Sequence, residues 1–440
     1  MAEHFQSVSK LNVGTNVEEN PAQTSVRSYA EAATLHADRA IPPLEKIDFT
    51  RAYEESYKGY DQPPHTSRAV HKIKLRWDQN LPMFGIGAGL KNLGNSCFIN
   101  ATLQILTHTP PLVNYLLSSN YNCQCISNSC MRCVLKLHIT RAFNNSGSAI
   151  SPDDIVANLN SIDPRMRVGR QEDAHEFLRH LIEAVNKSCL NTLSSTPSNT
   201  VISKIFSGSI HSQVECADCH GISHSYEMFN DLGIDIKILP SIKKGLDKLV
   251  TPLTLNGDNA FECTTCQQKV AAKKTMSIHT EPRILTIQLK RFDFKNSSSH
   301  KINRFVTYPF QLDLQPYMPS KKEPVLYSLF GVIVHDGTTC HSGHYYSLLK
   351  AKNGAWYLMN DSHVVPMSCD DVLKQNAYIL FYAQLPKPVI SRKLINSPGV
   401  SPPVVESSTS LPMASAAKNT SSPSAPHPPG QSLPFCCLYP

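Results

Sequence analysis

The chain has 440 residues, enough for two or three average domains, and a formal net charge of +7 at pH 7. That excess is modest for the length and collects on no face or tract, so we expect no nucleic-acid binding. No window approaches the roughly 18 uninterrupted apolar residues of a membrane span, and the first residues lack a signal-peptide core. We therefore expect a cytoplasmic or nuclear protein that is not secreted, in which the fourteen cysteines serve metal binding and catalysis rather than disulfides.

Both ends of the chain differ in composition from the middle. Residues 1–88 mix charges with Ser, Thr, Gln and Pro and lack a sustained apolar period, which predicts a largely disordered region. Within it, 28–38 has the composition of a short helix, and 72–76 forms a small basic cluster. Residues 385–440 are rich in Pro and Ser and are predicted to be a disordered tail, and Cys437 lies in a poor prenylation context. Periodic, apolar-rich sequence occupies 89–384.

The run from Gly89 to Leu106 is typical of a glycine-punctuated turn that opens into a helix, with Cys97 at the junction. Asn95 and Ser96 are suitable N-cap residues, and Pro110–Pro111 is expected to end the segment. In the first helical turn the dipole and the unpaired N–H groups favour a nucleophilic thiolate. A small buried cysteine is the alternative. Asn92, five residues before the sulfur, has a side-chain amide suited to stabilising an oxyanion.

A cysteine-rich stretch follows this first helix, and an apolar periodic run predicts a second helix beginning near Cys130. Cys123 or Cys125, together with Cys130, Cys133 and His138, would form a zinc site. The first cysteines are spaced too closely for an ordinary pair of knuckles, so partly buried thiols are the favoured interpretation.

The sequence from Gly169 predicts another helix, with Phe177, Leu178, Leu181, Ile182 and Val185 on one apolar face. Acidic residues at its start suit the helix dipole, which is the favoured role of Glu172, Asp173 and Glu176. His175 is interpreted as a packing or surface residue.

Two Cys-x-x-Cys knuckles, Cys216 with Cys219 and Cys263 with Cys266, are separated by 43 residues. This pattern predicts one tetrahedral four-thiolate zinc site. Four thiolates leave no open coordination position, so the metal would be structural and would hold a finger-like hairpin.

Apolar runs over 283–292 and 327–335 predict buried strands, and 356–361 and 377–382 are predicted to close the sheet. His344 follows the second of them, flanked by Gly343 and Tyr345, and Asn360 and Asp361 come sixteen and seventeen residues after it. The order Cys, His, Asn/Asp fits a nucleophile, a base and an orienting residue. Packing of the histidine and a turn at Asn360 remain the alternatives.

Taken together, the nucleophile run, the Gln171–Leu178 stretch, the two knuckles, the Leu-Lys-Arg-Phe strand and the Gly343–Tyr345 stretch resemble the ubiquitin-specific proteases. The resemblance spans 89–384 and is closest to a compact branch with a cysteine-rich insert. It implies an α+β, papain-like cysteine protease with a helical thumb, an antiparallel palm and zinc-knuckle fingers at about 201–280. Ubiquitin would be held between fingers and palm, with its C-terminal tail in a narrow cleft.

By the same resemblance, Cys97 is the nucleophile, His344 the general base and acid, and Asn92 an oxyanion donor. Gln171 and Asp173 resemble positions that line the tail cleft, and Gly343 and Tyr345 resemble those that admit and cover the terminal glycines. Asn360 aligns with the residue that orients the histidine, where many relatives have Asp, and Asp361 would supply the charge that an amide lacks.

The resemblance implies a monomeric, thiol-dependent deubiquitinase that binds ubiquitin and ubiquitinated proteins and carries structural zinc. Three alternatives remain open: a ubiquitin-binding scaffold without activity, a protease for another ubiquitin-like modifier, and a zinc-dependent nucleic-acid adaptor. None of these motifs indicates the substrate proteins or the preferred ubiquitin-chain linkage. They also do not indicate whether Cys97 is aligned with His344 in the free protein.

Overall fold

The structure is a computed structural model that describes residues 73–81, 85–118, 123, 125, 130–190, 199–293, 300–339 and 342–386. The predicted helix at 28–38, most of both predicted disordered regions and Cys437 lie outside the described residues. None of the described helices has the length and apolarity needed to cross a bilayer.

The described part of 89–206 is mainly helical. In chain order it contains β1 (Gly89–Leu90), α1 (Cys97–Thr107), α2 (Pro110–Leu116), α3 (Met131–Asn144), β2 (Ala149–Ile150), α4 (Asp153–Ala157), α5 (Leu159–Ile162), α6 (Ala174–Lys187) and α7 (Val201–Phe206). Every residue of α1 is buried. The predicted stripe of α6 is buried as well, so these two helices lie at the centre of the helical core.

Helix α1 begins at Cys97, as predicted, but its N-terminus is built differently from the expected cap. Ser96 occupies the N-cap position without a side-chain cap bond, and its hydroxyl accepts the backbone N–H of Leu93 at 2.8 Å. The pair Pro110–Pro111, which was expected to end the segment, forms the first turn of α2. A proline at the first helical positions loses no intrahelical hydrogen bond, so it starts a helix as readily as it stops one.

The prediction of disorder through residue 88 is wrong for the described residues 73–81 and 85–88. Ile73 and Trp77 pack against the helical core, and the Trp77 ring meets Phe143 edge-on at 6.4 Å. The Asn114 side chain bonds the backbone of three residues in this segment: Lys74, Arg76 and Asp78. Two isolated anchors produce no periodic pattern, and the sequence therefore gave no sign of the packing.

The next region carries a small sheet that projects from the main body of strands. It contains β3 (Gly208–Cys216), β4 (Ile222–Phe229), β5 (Leu232–Asp235), α8 (Ile242–Val250), β6 (Leu253–Leu255), β7 (Phe261–Cys263), β8 (Gln268–Val270) and β9 (Ala272–Thr280). Strands pair in the order β4-β3-β9-β6, and β7 and β8 form a separate hairpin. We call these six strands the fingers. The intervening β5 and α8 pack in the core of the larger sheet instead. The span 201–280 that was predicted to form the fingers therefore also contains elements of the larger sheet.

The larger sheet, which we call the palm, follows. Its elements are β10 (Ile284–Lys290), β11 (Phe292–Asp293), β12 (His300–Lys301), β13 (Gln311–Asp313), β14 (Leu326–Thr339), β15 (Ser342–Lys350), β16 (Trp356–Asn360), β17 (His363–Met367), α9 (Cys369–Leu373) and β18 (Ala377–Gln384). The eight-stranded sheet has the order β17-β16-β15-β14-β18-β10-β5, with β13 paired to β14, while β11 and β12 form a separate hairpin.

Two features of the palm differ from the sequence-based prediction. Strand β10 pairs with β5 in parallel, so the sheet is not wholly antiparallel. Strand β18, which was expected to close the sheet, lies between β14 and β10. Helix α1 packs against β15 and its neighbours β14 and β16, on the part of the palm that is farther from β5 in the strand order. This packing places the cysteine segment beside the strand that carries His344.

Candidate active site

Cys97 lies at the first position of α1 and is only 3% exposed. Burial raises the pKa of its thiol above the usual value, the nearby Tyr345 backbone N–H opposes that rise, and the Asp361 carboxylate adds to it. Desolvation of the sulfur therefore opposes the thiolate form that the helix start was predicted to favour. Among the described residues, no hydrogen bond joins this sulfur to the His344 ring.

His344 lies on β15 and pairs with Asn360 at the end of β16. Its Nε2 lies 2.6 Å from Asn360 Oδ1. An amide oxygen only accepts, so Nε2 carries the hydrogen and the neutral ring keeps a lone pair on Nδ1. The structure thus holds the imidazole in the tautomer that a general base requires.

Asp361 makes a different set of contacts from Asn360. Its Oδ2 accepts the Asn92 amide at 2.9 Å and its Oδ1 accepts the Asn100 amide at 2.8 Å. Its carbonyl oxygen accepts the Leu90 N–H at 2.8 Å. The sequence left open which residue orients His344. In the structure Asn360 accepts the hydrogen bond that the His344 ring donates, while Asp361 connects the end of β16 to the cysteine segment.

A close backbone contact at Gly89 also connects the segment before Cys97 to the turn after β16. A Cβ atom built on Gly89 would lie 2.4 Å from the Ser362 carbonyl oxygen, far inside van der Waals contact. Strand β1 therefore approaches the turn after β16 as closely as two backbones allow, and only glycine permits that approach.

Asn92 has both sides of its amide engaged. Its Oδ1 accepts the backbone N–H groups of Gly94 and Ser96, each at 3.1 Å. Its Nδ2 donates one hydrogen to Asp361, which leaves the second N–H for a ligand. The same side chain thus shapes the turn before Cys97 and carries a donor beside it.

Gln171 bridges two segments that approach the site from different sides. Its Oε1 accepts the Gly343 N–H at 3.1 Å, and its Nε2 donates to Asn95 Oδ1 at 3.2 Å. Asn95 is held in turn by the Gly169 carbonyl at 2.8 Å. The loop before α6, the cysteine turn and the start of β15 are therefore connected through one amide.

Asp173 is the N-cap of α6, accepting the N–H groups of His175 and Glu176. It also accepts the Tyr378 hydroxyl at 2.7 and 2.8 Å. These bonds fit the helix-start role predicted for it rather than a free cleft-lining side chain. His175 is buried and lies 2.9 Å from Asp231, consistent with the packing role expected for it.

The other two predicted acidic residues pair with arginines near the start of α6. Glu172 lies 3.5 Å from Arg170, and Glu176 lies 2.7 Å from Arg165. Both contacts are compatible with the helix-start role that the sequence favoured.

Gly343 and Tyr345 flank the base and pack on His335. A Cβ on Gly343 would lie 2.4 Å from His335 Nε2 and 2.6 Å from the Asp336 carbonyl oxygen, so no larger residue fits. The Tyr345 ring is 3% exposed and lies 4.6 Å from the His335 ring. Tyr345 therefore points into the core, whereas the resemblance placed it over the terminal glycines.

The two knuckles of the fingers bring their four sulfurs together. All four lie within 4.8 Å of one another, with Cys216–Cys266 at 3.8 Å and Cys219–Cys263 at 3.7 Å. In each knuckle the N–H of the second cysteine points at the sulfur of the first, at 3.5 Å. Backbone donors of this kind orient thiolates in zinc knuckles, so these residues fit a tetrahedral zinc ion.

Sequence analysis missed two side chains that hold the site. Asn100 follows Cys97 by three positions and is buried, bonding Asp361 and thereby the end of β16. A polar amide one turn after the cysteine, on the same face of the helix, was the available signal. Tyr378 holds Asp173 from the centre of the palm, and no local pattern indicates a partner 205 residues away.

A cysteine at a helix start, packed on a sheet whose neighbouring strand carries a His–Asn pair, is the arrangement of a papain-like cysteine peptidase. The ubiquitin carboxyl-terminal hydrolase family profile matches residues 88–382. The chain therefore belongs to this family of cysteine-type deubiquitinating peptidases.

Two human relatives illustrate the similarity. Ubiquitin carboxyl-terminal hydrolase 17-like protein 6 is 43% identical over 330 residues, covering 74% of this chain and 81% of the relative. Ubiquitin carboxyl-terminal hydrolase 42 is 39% identical over 370 residues, covering 78% of this chain, but the match spans only 28% of that longer relative. Among solved structures, the SAGA Ubp8/Sgf11/Sus1/Sgf73 DUB module bound to ubiquitin aldehyde contains a similar chain. It has a TM-score of 0.61 and 29% identity, covering 68% of this chain and 70% of that one.

Proposed function

We propose that this protein is a thiol-dependent deubiquitinase that hydrolyses isopeptide bonds at the C-terminal glycine of ubiquitin. One observation carries the proposal: the His344–Asn360 pair lies on strands that pack against the helix whose first residue is Cys97. Family membership and the solved relative bound to ubiquitin aldehyde support ubiquitin as the modifier.

In the proposed mechanism His344 Nδ1 removes the Cys97 proton, and the thiolate attacks the isopeptide carbonyl carbon. The second Asn92 N–H and the Cys97 backbone N–H stabilise the oxyanion. When the C–N bond breaks, His344 donates its proton to the departing lysine amine and a thioester remains. Water, deprotonated by His344, then releases the ubiquitin carboxylate and restores the thiol.

We propose that the active site of the free protein is inactive until the ubiquitin tail binds. Burial raises the pKa of the Cys97 thiol, and the Gln171 amide is occupied by hydrogen bonds with Asn95 and Gly343. An incoming Gly-Gly backbone offers new N–H and C=O partners for the same amide. We propose that binding of the tail exchanges these contacts and aligns the sulfur with His344, which restricts hydrolysis to chains that fill the cleft.

The fingers would complete ubiquitin binding. We propose that Cys216, Cys219, Cys263 and Cys266 bind one Zn²⁺ ion that stabilises the knuckle end of the fingers. With all four positions taken by thiolates, the metal contributes rigidity and no Lewis-acid step. Ubiquitinated proteins are the proposed partners, and the cytoplasm and nucleus the proposed compartments.

A ubiquitin C-terminal electrophile tests the activity directly. We expect the wild-type chain to form one covalent adduct, Cys97→Ser to form none, and His344→Gln to react far more slowly. Cys369→Ser, a buried cysteine outside the site, is the matched control and should react normally. A folded wild-type chain that forms no adduct would contradict the proposal.

The same assay separates the alternatives. Retained ubiquitin binding without adduct formation would indicate an inactive scaffold, and faster labelling by the probe of another ubiquitin-like protein would indicate a different modifier. Asn360→Ala should reduce labelling through misorientation of His344, whereas Asp361→Ala should act by releasing Asn92 and Asn100.

A further inference from the structure

A second group of four cysteine sulfurs lies outside the fingers, at the start of α3. Cys123, Cys125, Cys130 and Cys133 place all their sulfurs within 4.8 Å of one another. The sequence had favoured partly buried thiols and offered only one of the first two cysteines as a ligand. The structure brings both of them into one group with Cys130 and Cys133.

His138, the other residue considered for this site, does not join the group. It is buried in α3, and its Nε2 has no hydrogen-bond partner among the described residues. The four sulfurs therefore form a closed set of four thiol ligands without it.

The spacing of the sulfurs matches a metal site. Cys123–Cys130 is 3.7 Å and Cys125–Cys133 is 3.4 Å. A Zn–S bond of about 2.3 Å gives tetrahedral edges of about 3.8 Å, and the knuckles of the fingers show 3.8 and 3.7 Å. A disulfide requires about 2.05 Å, and both of these sulfur pairs are well beyond that distance. The two groups thus share one geometry, although their cysteine spacings differ.

The surroundings of the second group suit a negatively charged centre. Arg132 donates from Nη2 to Cys123 Sγ at 2.9 Å, and its Nη1 donates to the Tyr115 hydroxyl at 3.2 Å. Four thiolates around a divalent ion carry a net charge of −2, and a guanidinium in contact with one sulfur offsets part of it. Tyr115 of α2 and Arg132 of α3 therefore join two helices around the group.

We propose that Cys123, Cys125, Cys130 and Cys133 bind a second structural Zn²⁺ ion. The ion fixes the connection that leads into α3, whose first turn contains Cys133. Helix α3 packs against α6, and α6 begins at Asp173 beside the active site. The second metal thus stabilises the helical side of the cleft, as the first stabilises the fingers.

Native mass spectrometry of the full chain, with zinc quantified in parallel by elemental analysis, tests this assignment without any assay of activity. We expect two zinc ions in the wild-type chain, one in Cys125→Ser, one in Cys219→Ser and none in the double variant. Cys125 is chosen because its side chain is exposed, so serine is readily accommodated. Cys369→Ser is the control and should keep two ions.

A wild-type chain with one zinc that Cys219→Ser removes and Cys125→Ser leaves in place would overturn the proposal. So would a mass four hydrogens below that of the reduced chain together with a single zinc, because that result indicates two disulfides. The wild-type count needs no variant and is unaffected if a variant fails to fold. It is also independent of ubiquitin labelling, so either proposal can fail alone.

Discussion

The palm and the fingers are both antiparallel over most of their strands, yet they are stabilised differently. The palm, with β5 at its edge, and α8 form one continuous apolar core. At the knuckle end of the fingers the hydrophobic cluster is small, consisting of Cys216, Cys263 and Val270 with Phe261 and Cys266 packed against it, and most of β4 is exposed or half-buried. Hydrophobic burial can organise the first region, whereas the proposed zinc ion would stabilise the second. The proposed reacting groups lie on the palm and on the helix packed against it, and the fingers have the proposed role of binding ubiquitin.

The largest expected effect comes from breaking the zinc site of the fingers with Cys263→Ser. Structural zinc contributes on the order of 10 kcal/mol to the folding of such a unit. Hydrogen exchange should therefore become fast in 208–229 and 253–280 and stay slow in 326–350. KM for ubiquitin substrates should rise steeply. Slow hydrogen exchange throughout the fingers after complete zinc loss would show that the fingers, like the palm, fold without the metal.

Leu380→Ala tests the palm. Leu380 is fully buried on the central strand β18, and such truncations cost about 2 to 5 kcal/mol. Urea unfolding should report that loss across the whole catalytic region. Val365→Ala, at a residue 49% exposed, is the control and should change stability by less than about 0.5 kcal/mol. Equal losses for the two variants would contradict a core centred on β18.

Asn92→Ala should lower kcat and leave KM nearly unchanged, the reverse of the zinc variant. Removing one oxyanion donor typically costs about 100- to 1000-fold in turnover. The chain should remain folded, as circular dichroism would show, and Asn160→Ala at an exposed position is the matched control. Near-normal turnover would rule out this role for Asn92.

A smaller, pH-dependent effect is expected from the helical region. Burial lowers the pKa of His138 to about 4, with Arg141 adding to the shift. The folded state then binds fewer protons than the unfolded state below about pH 6.5, so stability falls as the pH falls. Between pH 7 and 5 this group costs about 2 kcal/mol. His138→Leu should flatten the pH dependence of unfolding by that amount, and an unchanged slope would contradict it.

Elements that local pattern determines were predictable. The start of α1, the apolar stripe of α6, the buried strands β10 and β14 and the paired knuckles all follow from spacing and residue type. The position of β18 between β14 and β10 does not, because strand order depends on contacts between residues far apart in the chain. The attachment of 73–81 through Ile73 and Trp77 was missed for the same reason.

Prediction of the active site was limited in the same way, because it too depends on contacts between residues far apart in the chain. Its nucleophile and base segments were identifiable from motifs, but the protonation state of Cys97 depends on burial that only the assembled helix and palm create. Likewise, the different partners of Asn360 and Asp361 follow from backbone direction at the end of β16, where Asp361 adopts a positive φ of 49°. No property of the adjacent Asn-Asp pair itself distinguishes them.

The contact between Gly89 and the Ser362 carbonyl has a consequence for genetic variation. One added methyl group would lie 2.4 Å from that oxygen, where ordinary contact begins near 3.4 Å. The two backbones would have to separate by about 1 Å, and displacements of that size can cost about 100-fold in rate. A glycine-to-alanine change at this position, conservative by any substitution matrix, would therefore be inherited as a loss-of-function allele with every reacting group intact.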